Sequence, residues 1–377
     1  IQAAILATCK PKSKILINRD CHQSAINAFI LGDVEPVYIK GSICENTYTI
    51  QGVSEQDVIS AIDNNEDVKV LMLTYPSYYG MVFDLEKICR YAHEKGMMVI
   101  VDEAHGAHLN LSDKLPKSAL EQGADIVIQS LHKTLPAFTQ SSMLHVQGDL
   151  VDKKNLERFL KIVQSSSPSY VLMSSLEIAI DIYDRYGKGL MGNLLNDIEN
   201  FEADLSKIDG VKVINGYDLE EILRYKYNIQ VELSNYYGVL LICTIGNDKN
   251  DFDAFLEAIK SIAKNFNKNH DLKIKQDNLN QKEAELIHIN YPNIIPKKVL
   301  SPRDAFYSDK KEVKLKDSIG KVSGEYIIPY PPGISLTSPG EIITKEVIDY
   351  ILICKEYGMN VSGLKDKSLD IIEIIEN

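Results

Sequence analysis

Short apolar runs alternate with amphipathic segments along the first part of the chain. Each run ends at polar or turn-forming residues, as expected for strands buried on both faces, and the segments between repeat apolar residues at helical spacing. This alternation predicts βαβ units and a mainly parallel sheet flanked by helices. Asp84 is placed to cap one of the helices. The predicted strands are 14–17, 34–39, 68–74, 97–101, 125–129 and 143–146, and the predicted helices include 54–63 and 84–95.

The pattern then changes to a long helical stretch followed by a smaller unit. Residues 168–205 have helical periodicity, which we expect to be broken near Gly187 and Gly189. Short strands and a helix beginning at Asp251 predict a smaller α/β subdomain over 190–265, with strands at 211–214, 227–233 and 238–245.

Polar residues separate this part from an ordered C-terminal unit. Lys, Asn, Asp and Gln concentrate over 263–298, which predicts a linker at 266–298 between a major domain (1–265) and a C-terminal domain (299–377). In the C-terminal domain the sequence predicts short helical segments at 302–306 and 316–318. Two proline turns at 330–334 and 339–341 are expected to fix the path of a loop.

A lysine and an aspartate stand at the ends of two predicted strands. Asp102 ends the run 97–101, and Lys133 follows the run 125–129. Taken singly, Asp102 suits a helix cap and Lys133 a solvent-exposed lysine. Together at the carboxyl ends of parallel strands they suit pyridoxal 5'-phosphate (PLP), because a lysine amine forms a Schiff base with its aldehyde and a carboxylate keeps its pyridine nitrogen protonated.

A histidine falls at the end of a third predicted strand. His22 follows the run 14–17 and opens a helix, which would place its imidazole in the same crevice. With these residues the sequence resembles the Orn/Lys/Arg decarboxylase family of fold-type I PLP-dependent enzymes. The matching stretches are NRDCHQSAINAFILG (18–32), TYPSYYG (74–80), VDEAHGAH (101–108), SLHKTLPAFTQSS (130–142), SPSYVLMSSLE (167–177), SPRDAF (301–306) and YPPGISLTSPGE (330–341).

The resemblance implies roles for individual residues of the cofactor site. Lys133 corresponds to the Schiff-base lysine, Asp102 to the partner of the pyridinium nitrogen, and His22 to the histidine that stacks on the ring. The remaining predicted contacts are Ser130 and His132 with the phosphate or the cofactor pocket, and His105 with the other ring face or the hydroxyl, although a supporting structural role suits His105 equally well.

The resemblance also implies a substrate site and an assembly. Glu325 and Glu341 are candidates to meet the distal cation of a basic amino acid, and a structural role near the helix that follows Thr344 is an alternative for Glu341. Related enzymes are homodimers or larger. They also carry an N-terminal segment whose Gly/Ser/Thr loop holds the cofactor phosphate, so a chain beginning at Ile1 is expected to bind PLP weakly without it.

The composition limits the classes of binding partner and the cellular compartment that we expect. A net charge of −12 and a pI near 5.2 argue against nucleic acid or an anionic membrane as a partner. No run of eighteen apolar residues and no signal-peptide pattern occurs, and the scattered cysteines suit a reducing compartment, so we expect a cytoplasmic protein. The histidines show no metal-ligand spacing beyond His105 and His108, and no metal is predicted.

Three functions remain open at this stage. The first is PLP-dependent decarboxylation of arginine, lysine or ornithine to a di- or polyamine precursor, with Lys133 or His132 returning a proton to the α-carbon. The second is an aminotransferase or another PLP lyase; an aminotransferase would use an arginine such as Arg303 to clamp the substrate carboxylate. The third is a non-catalytic homologue that keeps the fold.

Overall fold

The computed structural model describes residues 1–43, 50–208, 216–235, 238–268, 292, 294–330, 333–356 and 358–376. The first part alternates strands and helices as predicted. Its elements are α1 (Gln2–Thr8), β1 (Lys14–Asn18), α2 (Gln23–Gly32), β2 (Glu35–Ile39), β3 (Ser42–Ile43), β4 (Ile50–Gly52), α3 (Glu55–Asp63), β5 (Val70–Thr74), α4 (Leu85–Glu94), β6 (Met98–Asp102), a 3₁₀ helix (Leu109–Leu111), β7 (Ile126–Gln129), α5 (Leu131–Thr134) and β8 (Met143–Val146).

The central sheet contains six of these strands in the order β2-β1-β5-β6-β7-β8. The pairs from β2 to β7 are parallel, and β8 joins the edge antiparallel to β7. In register, Thr74 of β5 lies opposite Asp102, and Asp102 lies opposite Ile128 of β7. The predicted mainly parallel sheet is therefore confirmed, and the carboxyl ends of β5, β6 and β7 meet at one edge.

Apolar residues fill both faces of the sheet, because successive strand residues point to opposite sides. Val99 and Val101 belong to one core, which α3 and α4 cover through residues such as Val58 and Ile88. The intervening Ile100 belongs to the other core, which is covered by α1, α2 and α6 (Lys153–Val163). Burial on both faces explains why the strands have continuous apolar sequences.

Side-chain caps set the beginnings of the predicted helices. Asp84 accepts a hydrogen bond from the Lys87 amide and Ser54 accepts one from the Asp57 amide, so α4 and α3 begin one residue after these caps. The predicted cap at Asp84 is confirmed. Each cap satisfies an amide that lacks a partner within the helix.

The long helix α7 (Tyr170–Leu205) runs without interruption for 36 residues. The predicted break near Gly187 and Gly189 is therefore wrong. Gly187 lies where the helix crosses Leu111, and a Cβ at this position would lie 2.5 Å from the Leu111 Cδ2 atom. The glycine is used for close packing of two elements, which the sequence pattern could not distinguish from a helix break.

A small unit follows α7, and it differs from the prediction. It contains α8 (Gly216–Tyr227), β9 (Leu233–Asn235), β10 (Gly238–Leu240) and α9 (Lys249–Lys268). The predicted strand 227–233 is wrong, because Tyr227 ends a helix and Asn228 has a φ of 55°, which a strand does not allow. The strand predicted at 238–245 is shorter, and the one predicted at 211–214 lies outside the described residues.

The C-terminal part has its own core, formed by residues such as Ile327, Val347, Ile351 and Ile372. The short helical segments predicted at 302–306 and 316–318 are confirmed. Residues 269–291 and 293 of the predicted linker lie outside the described residues, and the predicted domain boundaries stay predictions. The elements are α10 (Pro302–Tyr307), β11 (Lys310–Lys314), a 3₁₀ helix (Leu315–Ser318), β12 (Ile328–Tyr330), α11 (Lys345–Glu356), β13 (Asn360–Ser362) and β14 (Ile371–Ile375).

Candidate active site

Polar side chains gather at the carboxyl edge of the central sheet. Asp102 is the last residue of β6, α5 with Lys133 directly follows β7, and His22 caps α2 just after β1. Asn18 ties two of these strand ends together, since its Oδ1 atom accepts a hydrogen bond from the Thr74 amide at 3.1 Å. The parallel sheet therefore brings the predicted cofactor residues to one edge.

Asp102 is 3 % exposed and only partly hydrogen-bonded. Its Oδ1 atom accepts a hydrogen bond from the Ala104 amide at 3.2 Å, and no described residue donates to Oδ2. Burial raises the pKa of Asp102, and electrostatic interactions, with His22 and Lys133 among the partners, oppose that rise. Because β6 leads into a turn at Ala104, Asp102 does not cap a helix.

Lys133 contacts His105 rather than a carboxylate. Its Nζ atom lies 3.0 Å from the His105 Nε2 atom, and no described acidic residue forms an ion pair with it. Burial, followed by the charge of Lys133, lowers the pKa of His105 to about 4, so this imidazole is neutral near pH 7 and accepts the hydrogen bond. The ring of Tyr78 packs edge-on against His105, with centroids 5.3 Å apart.

Hydrogen bonds orient the two other predicted histidines. The Nδ1 atom of His132 lies 2.7 Å from the Ser141 carbonyl oxygen, to which it donates. His22 accepts a hydrogen bond at Nδ1 from the Ser24 amide, and its ring is exposed at the edge of the sheet. No described residue forms a hydrogen bond with Nε2 of either imidazole, so this atom is available for a ligand. Ser130 precedes α5, and its side chain makes no capping hydrogen bond there.

Glu325 and Glu341 lie in the C-terminal part and are both hydrogen-bonded to other residues of the chain. Glu325 accepts hydrogen bonds from the amides of Lys365 and Glu373, both at 2.7 Å. Glu341 is 2 % exposed and forms a bidentate pair with Arg19, with N–O distances of 2.6 and 2.7 Å. None of these contacts brings either carboxylate to Lys133. They do not support a substrate-binding role for Glu325 or Glu341, and that role stays a prediction.

Arg303 also has a structural environment. Its Nη1 atom donates to the carbonyl oxygens of Ile30 and Leu31 at 3.1 and 3.0 Å, at the end of α2. These carbonyls are among those that a helix leaves without an internal partner. The arginine that an aminotransferase would use as a carboxylate clamp is therefore engaged in holding two elements together.

Several residues of the site had no role assigned from sequence. Tyr78, Ser141 and Thr134 all lie within stretches that resemble the family, but nothing in their spacing indicated which atoms they contact. Thr134 directly follows Lys133, and its Oγ1 atom is buried without a partner among the described residues. Glu103 is fully buried behind Asp102. In the sequence, Glu103 is distinguished only as an acidic residue that follows an apolar strand.

Two other kinds of feature are absent from the described residues. These residues hold no cluster of three or more histidine, cysteine or acidic side chains suited to a metal ion. Among the same residues, no helix combines the length and hydropathy needed to span a membrane.

The chain matches two family models over most of its length. Residues 1–218 match the family described as "Orn/Lys/Arg decarboxylase, major domain", and residues 284–368 match "Orn/Lys/Arg decarboxylase, C-terminal domain". The arginine decarboxylase of Bacillus subtilis (strain 168) is 34% identical, with 100% of this chain and 80% of that protein covered. The arginine decarboxylase of Bacillus anthracis is 32% identical, with 100% and 79% covered.

Solved structures of lysine decarboxylases share the fold. The enzyme of Francisella novicida superposes with a TM-score of 0.81 at 21% identity, covering 100% of this chain and 68% of that one. The constitutive lysine decarboxylase of E. coli gives a TM-score of 0.80 at 17% identity and the same coverage. The predicted fold-type I α/β architecture is therefore confirmed.

Proposed function

The chain belongs to the Orn/Lys/Arg decarboxylase family, and from this premise we propose that it is a PLP-dependent decarboxylase of a basic amino acid. The observation that carries the proposal is the meeting of Lys133, Asp102, His22 and His105 at one edge of the sheet. Arginine is the first substrate to test, because the relatives at 32% and 34% identity are named arginine decarboxylases. The product would be a polyamine precursor.

Incompletely satisfied polar groups at this edge suit PLP. Among the described residues, Asp102 has one oxygen without a donor, Lys133 has His105 but no carboxylate as a partner, and the buried Thr134 hydroxyl has no partner. A buried carboxylate gains most from a positively charged donor, which a protonated ring nitrogen provides. PLP supplies an aldehyde for amine attachment and a ring that withdraws electrons from the substrate α-carbon.

The side chains of the site would divide the remaining tasks. Lys133 would hold the cofactor, and neutral His105 would keep the Lys133 amine directed into the site through their hydrogen bond. Asp102 would keep a proton on the ring nitrogen, and His22 would cover the ring face. After loss of CO₂, either Lys133 or His132 would return a proton to the α-carbon. Ser130 would provide a polar contact at the start of α5.

We also propose that a second copy of the chain covers the apolar face at the end of α6 and the first half of α7. Large side chains such as Ile162, Tyr170 and Ile178 are exposed there, at 73%, 79% and 58%. Helix α7 contacts the segment that follows α5, because the Phe138 amide donates to the Ser175 hydroxyl at 3.2 Å. A homodimer formed through this face would therefore close the site. Sedimentation of the wild type and a Val171→Glu variant tests this assembly.

A cytoplasmic location fits the state of the cysteines. The five cysteines at described positions are all without a disulfide, as in a reducing compartment. Fractionation of the native host would test this part of the proposal, and recovery of the protein outside the cell would contradict it.

Product analysis tests the proposed activity. The purified chain, supplied with PLP, is incubated with arginine, lysine or ornithine, and with glutamate as a control. We expect CO₂ and the matching amine from at least one basic substrate and none from glutamate. A second set of reactions with each basic amino acid also contains 2-oxoglutarate as an amino-group acceptor. Formation of glutamate there without CO₂ would instead support an aminotransferase, and absence of both products would support a non-catalytic homologue.

A further inference from the structure

Glu103 is a fully buried carboxylate that the proposed chemistry does not use. It directly follows Asp102, but its side chain lies in the interior behind the site. Burial raises the pKa of Glu103 to about 7, whereas hydrogen bonds from the Ala119 amide and the Gln129 side chain lower it. A buried carboxyl group is unfavourable unless hydrogen bonds satisfy its oxygens, so the partners of Glu103 explain how the fold keeps it there.

Hydrogen bonds from Glu103 reach the neighbouring strand end. Its Oε1 atom accepts from the Ala119 amide at 2.6 Å, and its Oε2 atom accepts from the Gln129 Nε2 atom at 2.5 Å. The Gln129 Oε1 atom in turn lies 2.9 Å from the Nε2 atom of His145 on β8. Burial lowers the pKa of His145. Its Nε2 atom donates this hydrogen bond, because the Gln129 oxygen can only accept. The network thus joins the ends of β6 and β7 to β8.

The network connects the two residues that must face the same cofactor. Glu103 is adjacent to Asp102, and Gln129 is the last residue of β7, which continues into α5 and Lys133. We propose that Glu103 is a positioning residue that fixes Asp102 relative to Lys133. This inference rests on the proposed function, because it concerns the placement of the two predicted PLP contacts.

The donors and acceptors in the network restrict which side chain can replace Glu103. Both oxygens of Glu103 accept from N–H groups, and the Ser118 side chain is a further hydrogen-bond partner. A glutamine at position 103 would direct its N–H₂ group at the N–H of Ala119 or of Gln129. Rotating the Gln129 amide to relieve that contact would take its oxygen away from His145. Gly106 is also fitted to Glu103, since a Cβ at position 106 would lie 2.4 Å from the Glu103 Cγ atom.

The chain offers a matched control at the opposite edge of the same sheet. Asp125 is also buried, and it accepts hydrogen bonds from the Val99 amide at 2.8 Å and the His93 Nε2 atom at 2.9 Å. It therefore joins β6 to the start of β7, far along the strands from Lys133. Replacing either carboxylate removes a buried link between the same strands, but only Glu103 adjoins the site.

The test compares Glu103→Gln, Asp125→Asn and the double variant Glu103→Gln/Gln129→Glu in the full chain with PLP. The double variant exchanges the amide and the carboxylate, which restores a matched partner to Ala119 and to His145. Each protein is measured for PLP affinity, for the visible absorption of bound PLP, and for kcat and KM separately. Thermal unfolding reports stability.

We expect Glu103→Gln to weaken PLP binding and lower kcat by about tenfold or more each, with KM little changed, where each tenfold equals about 1.4 kcal/mol. Its visible absorption should shift. Asp125→Asn should lower the unfolding temperature but keep the wild-type absorption and kcat. The double variant should have the wild-type absorption and kcat again.

The inference is overturned if Glu103→Gln keeps the wild-type absorption and kcat, or if Asp125→Asn changes them equally. Should Glu103→Gln not fold, the double variant decides: wild-type absorption supports the inference, and altered absorption contradicts it. A wild-type protein without any PLP-dependent absorption would instead show that the proposed function has failed.

Discussion

The two edges of the central sheet contain similar residues with different degrees of hydrogen bonding. At the edge where the parallel strands begin, Asp125 accepts hydrogen bonds from the Val99 amide and from His93. The bond to Val99 joins two strands. At the carboxyl edge, within the described parts of the chain, Asp102 accepts one hydrogen bond and Lys133 has a neutral histidine but no carboxylate as its partner. Because folding normally satisfies buried polar groups, the edge with unmatched charges is the one suited to a ligand.

The strongest test of this contrast removes the amine at the carboxyl edge. We expect Lys133→Ala to abolish PLP attachment and decarboxylation, since no other described lysine contacts His105 at this edge. Unfolding temperature should change little, because Lys133 forms no ion pair with a described residue. Visible spectra and CO₂ release measure the loss, and Lys133→Arg, which keeps the charge, should be equally inactive. Decarboxylation by Lys133→Ala at the wild-type rate would contradict the assignment.

A matched pair of substitutions compares the two edges directly. Asp102→Asn should lower kcat about a thousandfold, or about 4 kcal/mol, because the charge opposite the ring nitrogen is lost. Asp125→Asn should lower stability by about 1–3 kcal/mol through a weakened buried hydrogen bond and leave kcat unchanged. Steady-state kinetics and urea unfolding of both variants measure the contrast. Equal kcat values for the two variants would remove the distinction between the edges.

The next substitution tests how the C-terminal part is held against the site. Arg19 and Glu341 form a buried bidentate pair, and the Arg19 Nε atom also donates to the Ser335 carbonyl at 2.9 Å. Removing one partner with Glu341→Gln should lower stability by about 3–5 kcal/mol, measured by urea unfolding. A rise in KM for the basic substrate at unchanged stability would instead support the predicted substrate role of Glu341.

The smallest expected effect is the pH dependence due to His105. Its folded pKa of about 4 lies below the ordinary value of 6.5, so the unfolded chain binds a proton between these values that the folded chain does not. Stability should therefore fall as the pH decreases from about 6.5 to about 4. Urea unfolding of wild type and His105→Asn across this range should show a smaller fall in the variant. Parallel curves would contradict the assigned protonation of His105.

Local patterns were sufficient to predict the sheet and part of the site. Apolar runs identified the strands that end at Asp102 and precede Lys133, because burial on both faces leaves a continuous apolar sequence. Strand ends then placed both residues at one edge. Gly187 was misinterpreted, because a glycine that permits close packing against Leu111 has the same local pattern as a helix break.

Contacts distant in sequence could not be predicted in the same way. Arg19 and Glu341 are separated by 322 positions, and only the folded chain shows that each neutralises the other. Glu103 similarly depends on Gln129, whose side chain is oriented by His145 of another strand. No periodicity or spacing specifies these partners, so the sequence suggested candidate site residues but not the contacts that position them.

The central claim is that the carboxyl edge of the sheet binds PLP through Lys133. Borohydride reduction of the PLP-loaded protein, followed by peptide mapping, tests it most directly because reduction makes the attachment permanent. We predict a single phosphopyridoxyl label on Lys133, which is absent from the Lys133→Ala variant. A label on any other lysine, or no label on a folded protein saturated with PLP, would contradict the account.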